Sequence, residues 1–140
     1  MMRLRLALAA LICVSSPAVA DNLPGDYLGW YVPTNSASDH CDTPQNWDDN
    51  YRVTDRSIEF TDGRADFVSV KNGKLGDTIT VQLIFHEPAR TIRQTEIWHM
   101  ETIRGDIFLT RTMTAFRASP QGNTPNLPAA TTARQCPNAN

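Results

Sequence analysis

The sequence predicts an all-β domain, an antiparallel meander of about six or seven strands closing into a small barrel or curled sandwich and stapled by one disulfide. Three observations carry this. Strand-like runs alternate with turn signals from Tyr51 to about Arg117. No segment shows helical periodicity, and no internal repeat is visible. Two cysteines, Cys41 and Cys136, remain once a leader is set aside.

The leader is residues 1–20. Arg3 and Arg5 form its basic start, Leu6 to Val14 its apolar stretch, and Ala18-Val19-Ala20 the small residues before a cut. The apolar stretch is too short to span a bilayer, and no later run reaches membrane length. Cleavage after Ala20 removes Cys13 and leaves 140 − 20 = 120 residues, enough for one domain with one core. The expected location is periplasmic or secreted. The chain contains no Asn-x-Ser/Thr sequon, which favours a bacterial exported protein over a glycosylated one.

In an oxidising compartment Cys41 and Cys136 pair most simply with each other. The closed loop has 136 − 41 = 95 residues. Chain entropy then gives about 4–5 kcal/mol of stabilisation. The competing reading, free thiols that bind metal or react, lacks the support of a Cys-x-x-Cys spacing.

Without Arg3 and Arg5 there are 11 basic and 15 acidic residues, a net charge of −4. Asp21–Leu75 carries 10 acidic and 5 basic residues, whereas Gly76–Asn140 carries 5 and 6. No basic footprint for nucleic acid is present. The acidic half either attracts a basic protein or only keeps the domain soluble.

The elements follow in order. Gly25 to Val32 reads as a first strand with aromatic anchors, and Pro33 to Asn50 as a long polar loop holding Cys41. Tyr51–Val53 is a candidate short strand. Asp62-Gly63 signals a two-residue hairpin turn, pairing Phe60 with Ala65 and Ile58 with Phe67. A turn over Lys71–Asp77 sets Val70 opposite Thr78 and Phe67 opposite Val81. Pro88-Ala89 pairs Phe85 with Ile92, and Arg104-Gly105 pairs Met100 with Leu109 and Trp98 with Arg111. The domain is thus 21–117, including the 33–50 loop. Residues 118–140 read as an irregular tail rich in Pro and Asn, pinned by Cys136.

Opposed residues share a face of a sheet. These registers gather Ile58, Phe60, Phe67, Ile79, Val81 and Leu83 inside, with Phe85, Ile92, Trp98, Met100, Leu109 and Met113. Outside they place Ser57, the threonines 78, 80, 95, 110, 112 and 114, and the apolar Val68, Val70, Ile84, Ile97 and Ile103. A one-residue slip would scramble the partition. One pairing conflicts: Glu59 falls opposite Asp66, like charge on like, so a bulge or another turn is expected there.

Gln94, Glu96 and Arg111 also fall on the inner face, with Arg111 opposite Trp98 and Glu96 one diagonal step away. Together with Trp98 they are the candidate ligand-binding residues. Arg111 suits a carboxylate or phosphate, and Trp98 suits an apolar or cation–π wall. The alternative is an internally satisfied Glu96–Arg111 pair laid over Trp98.

Other motifs carry less. His40, His86 and His99 share no ligand spacing, and Asp39, Asp42, Asp48, Asp49 and Asn50 match no calcium-loop pattern, so no metal or cofactor is expected. Arg104-Gly105-Asp106 is explained by turn chemistry. Gly-x-Ser-x-Gly, His-Glu-x-x-His and phosphate-loop motifs are absent.

Gly29-Trp30 at the head of a meander resembles the start of lipocalin-like barrels, which implies a cavity for a small ligand. That family begins Gly-x-Trp, whereas here the two residues are adjacent, and this chain is shorter. Small exported inhibitors of lysozymes or proteases are similar in size, β-richness and single staple, but none of their motifs is present.

The expected function is therefore a non-catalytic exported protein recognising a macromolecule, as an inhibitor, immunity protein or envelope accessory factor does. Its expected partner is another exported protein, with neither nucleic acid binding nor stable membrane insertion. The alternatives are a lipocalin-like carrier and a hydrolase with an unrecognised site.

Overall fold

A computed structural model describes residues 22–36, 40–73 and 76–137. The leader with Cys13, and Asp39 of the loop, lie outside the described residues. A short 3₁₀ turn, Gly25–Tyr27, precedes β1 (Gly29–Pro33), and a second, Pro44–Asn46, interrupts the following loop. The remaining strands are β2 (Tyr51–Val53), β3 (Ser57–Phe60), β4 (Gly63–Asn72), β5 (Thr78–Glu87), β6 (Arg90–Ile103), β7 (Asp106–Ser119) and β8 (Ala129–Gln135). Each strand pairs antiparallel with the next, and β8 returns to β1, so eight strands form a closed barrel.

The C-terminal residues depart from the irregular tail expected of the sequence. Residues 118–140 are not irregular throughout: β7 runs to Ser119, and Ala129–Gln135 is β8, paired with both β7 and β1. Without it β1 and β7 would leave unpaired edges, and closure satisfies both ladders. The seam at β8–β1 is fastened by the Cys41–Cys136 disulfide. The Cys136 amide also donates to the Trp30 carbonyl at 2.8 Å.

The β5–β6 register is as the turns predict, with Glu87 opposite Arg90 and Ile79 opposite Trp98. So is β6–β7 from Ile103–Asp106 to Trp98–Arg111, where Arg104 (φ 54°) and Gly105 (φ 92°) make the left-handed turn. The first hairpin differs. Its turn is Thr61-Asp62, so Ile58 faces Ala65 and Glu59 faces Arg64. The two-residue shift leaves the faces unchanged and removes the Glu59–Asp66 conflict. Asp66 instead takes a 3.0 Å ion pair from Arg64.

In β4–β5, Phe67 faces Leu83 but Val70 faces Val81, because the register shifts between Phe67 and Ser69. Val68 stays outward at this bulge, and the alternation reverses after it, turning Val70 inward. Val70, expected outside, is 3% exposed and belongs to the core, while Val68 is 43% exposed. Ser57, also expected outside, is buried at the β2–β3 turn, where its amide and hydroxyl meet the Thr54 Oγ1.

The interior is filled. Trp98, Tyr31, Ile58, Leu83 and Leu109 are essentially inaccessible, and Phe60, Phe67, Phe85 and Met100 pack against this cluster. Tyr27 tilts onto Trp98 with ring centroids 6.1 Å apart, and its hydroxyl donates to the Asp77 carbonyl. The N-terminal turn thus covers the β4–β5 end of the core. On the outside of β1, Val32 is also buried. Its cross-strand partner Arg134 reaches the Cys41 Sγ, and the Pro44–Asn46 turn contacts β1, so the stapled loop covers this face.

Candidate functional site

The barrel brings Glu96, Trp98 and Arg111 together. Glu96 and Trp98 project inward from β6 two residues apart, and Arg111 stands opposite Trp98 on β7. The Arg111 Nε donates to Glu96 Oε2 and its Nη2 to Glu96 Oε1, both at 2.9 Å. The Trp98 indole N–H donates to Oε2 at 2.6 Å. Both oxygens of this buried carboxylate are therefore engaged, the condition under which a charge is tolerated in a core. None of these hydrogen bonds comes from Gln94, which is half-buried opposite Leu83 and Phe116.

Tyr51 on β2 completes the cluster and was not legible as a member. The guanidinium carbon of Arg111 lies 5.1 Å from the Tyr51 ring centroid and 5.6 Å from that of Trp98. Tyr31 also stacks on Tyr51, with centroids 5.4 Å apart and planes at 11°. Burial is the largest influence on Arg111 and opposes its charge, but Glu96 and Tyr51 outweigh it and hold the guanidinium above its ordinary pKa. Burial likewise raises the Tyr51 phenol, although Arg111 pulls it the other way.

This cluster borders an open cleft of about 560 Å³ where β1 leaves the barrel and β2 begins. Arg111 and Tyr51 form part of its floor, and Thr34, Ser36, Asp49 and Thr131 are among the residues around them. Thr131 is opposite Arg111 across β7–β8, so the strand that closes the barrel also builds this wall.

Beside the cleft, the 40–50 loop presents Trp47, 43% exposed, with His40 stacked on it at 3.4 Å between centroids. Asn50 anchors the loop from beneath: it is buried and donates through Nδ2 to the Pro44 carbonyl at 3.0 Å. His86 stands opposite Thr91, and His99 Nδ1 lies 3.4 Å from Asp77 Oδ2, so the three histidines occupy separate places. Among the described residues no group of three His, Cys, Asp or Glu side chains is placed to hold a metal ion. No helix among them is long and apolar enough to cross a membrane. Arg104-Gly105-Asp106 forms the β6–β7 turn, where Arg134 Nη1 approaches Asp106 Oδ1 at 3.6 Å.

Comparison with protein-family models, curated proteins and solved structures finds no match to this chain.

Proposed function

We propose that the chain is a small exported, non-catalytic binding domain that recognises a macromolecular partner through the stapled 40–50 loop and the adjoining cleft. The observation that carries this reading is Trp47. A large aromatic residue, nearly half exposed, is held on a loop tethered to β8 by a disulfide, outside a barrel whose interior is already filled. Exposed aromatic anchors on pre-organised segments dominate protein interfaces, because little conformational freedom remains to be lost on binding. The disulfide fits an oxidising compartment. Export to the periplasm or medium is part of the proposal, resting on the residue 1–20 pattern.

Two measurements test it. Mass analysis of the exported product should give a chain beginning at Asp21, and retention of the leader would refute export by this route. Immobilised wild-type protein should retain a specific partner from the exported fraction of its source, and Trp47→Ala should lose at least about tenfold in affinity for it, as expected for a central aromatic anchor. Unchanged retention by Trp47→Ala would remove the loop from the binding surface.

A second reading is favoured by one observation, the presence of Arg111 and Tyr51 in the cleft floor. On that reading a small polar ligand sits in the mouth of the barrel. An apolar cargo within the barrel has less support, since side chains fill that space.

A further inference from the structure

We infer that the cleft at the barrel mouth is the seat for a lysine or arginine side chain of a basic protein, an inference that rests on the macromolecule-binding reading above.

The cleft is lined mainly by neutral residues. Two of its lining residues are ionic, Arg111 and Asp49. Arg111 has Nε and Nη2 on the two oxygens of Glu96, so the pair brings no net charge. An anionic ligand would meet a guanidinium already neutralised by Glu96 and, across the cleft, the exposed charge of Asp49. Asp49 is exposed, and among the described residues no ion pair engages it. The uncompensated charge of the cleft is therefore negative. The oxygens of Thr34, Ser36 and Thr131 surround it, and hydroxyl oxygens accept from an ammonium or guanidinium group.

The sequence of the bordering loop is acidic, and Arg134 is a cation that the structure sets against it, at Cys41 Sγ. Between Pro33 and Tyr51 the sequence holds Asp39, Asp42, Asp48 and Asp49 and neither Lys nor Arg. A face of one sign steers a partner of the opposite sign and speeds its encounter, with a strong dependence on salt. A single exposed carboxylate holds a free amine only weakly in water. Trp47 lies on the same loop, two residues before Asp49. A protein that buries this indole while placing a cationic side chain on Asp49 gains both contacts within one association event, whereas a free amine gains one. This is why the seat is assigned to a protein side chain.

The test uses the full mature chain, isotopically labelled, titrated with end-blocked pentapeptides Gly-Leu-X-Leu-Gly, whose leucines offer Trp47 an apolar contact and in which X is Arg, Lys, Gln or Glu, and with inorganic phosphate. The Arg and Lys peptides should produce saturable amide shifts around Asp49, Ser36 and Thr131. The Gln and Glu peptides and phosphate should not. Asp49→Asn, at an exposed position that preserves the fold, should weaken the Arg peptide about threefold, and raised salt should weaken binding to the unaltered chain. Preferential binding of the Glu peptide or phosphate, absence of shifts with every probe, or an unchanged response in Asp49→Asn would overturn the inference. Its failure is separable from failure of the binding-domain reading. If the peptides are silent while Trp47→Ala still abolishes capture of the partner, the cationic seat falls and the binding role stands. If the peptides bind and Trp47→Ala leaves capture unchanged, the loop surface falls.

Discussion

Arg111 meets Glu96 side-on inside the barrel, Nε to Oε2 and Nη2 to Oε1, each at 2.9 Å. With Trp98 donating to the same carboxylate, the pair is satisfied internally and ties β6 to β7. Removing one partner is then far worse than removing both. Arg111→Met should cost about 3–5 kcal/mol, because it strands a buried carboxylate. Glu96→Leu combined with Arg111→Met should recover most of that loss. Urea midpoints of the two variants check this, and equal losses would mean that the Glu96 charge is not what the single variant exposes.

The Cys41–Cys136 bond closes a loop spanning 95 residues and fastens the seam at which the last strand meets the first. Cys41→Ser with Cys136→Ser should lower stability by about 4–5 kcal/mol on loop entropy. Amide exchange should accelerate first in β8 and β1. A loss spread evenly over all eight strands, or a change below about 1 kcal/mol, would mean that the ladder closes the barrel without the staple.

The β4 bulge makes neighbouring valines unequal. Val70→Ala should cost about 2–3 kcal/mol, since it opens space in a packed core. Val68→Ala, at an exposed position, should stay within about 0.5 kcal/mol. Thermal or chemical unfolding of the two variants distinguishes this arrangement from uninterrupted alternation, which would place both valines on the outer face and make both substitutions mild.

Tyr27, Tyr31 and Tyr51 are the three tyrosines of the chain, and all are buried. Burial is the largest influence on each, and all three phenols are raised above 10.0. Folding therefore holds their protons more tightly than the unfolded chain does. Their contribution to stability is complete below the unfolded value of 10.0 and is lost as pH rises through the folded values. In an alkaline titration, phenolate absorbance should lag behind free tyrosine and emerge together with the loss of native circular dichroism. Titration of all three near pH 10 in a folded protein would contradict the burial.

Much of the barrel was legible because turn chemistry constrains register. Pro88-Ala89 and Arg104-Gly105 specify two hairpins, and from them the diagonal approach of Glu96 to Arg111 follows. The first hairpin differs from expectation because moving the turn by one residue shifts the register by two and leaves the same side chains inside. Only the charges tell the placements apart, and the clash of Glu59 with Asp66 was the available signal. The bulge at Val68 left no such mark, since apolar residues on both sides of it suit either face.

Alternation and turn residues alone carried the fold class, the pairing of β5 with β6 and of β6 with β7, and the meeting of Glu96, Trp98 and Arg111, because all of these depend on neighbours in the chain. Closure was decided elsewhere. Ala129–Gln135 has the sequence of a tail and becomes a strand because β7 and β1 present unpaired edges that it satisfies. Tyr51 beneath Arg111, and Thr131 and Asp49 around the cleft, come from segments far apart in sequence. Their convergence follows from the curvature that brings the last strand beside the first, and alternation along any one strand does not encode it.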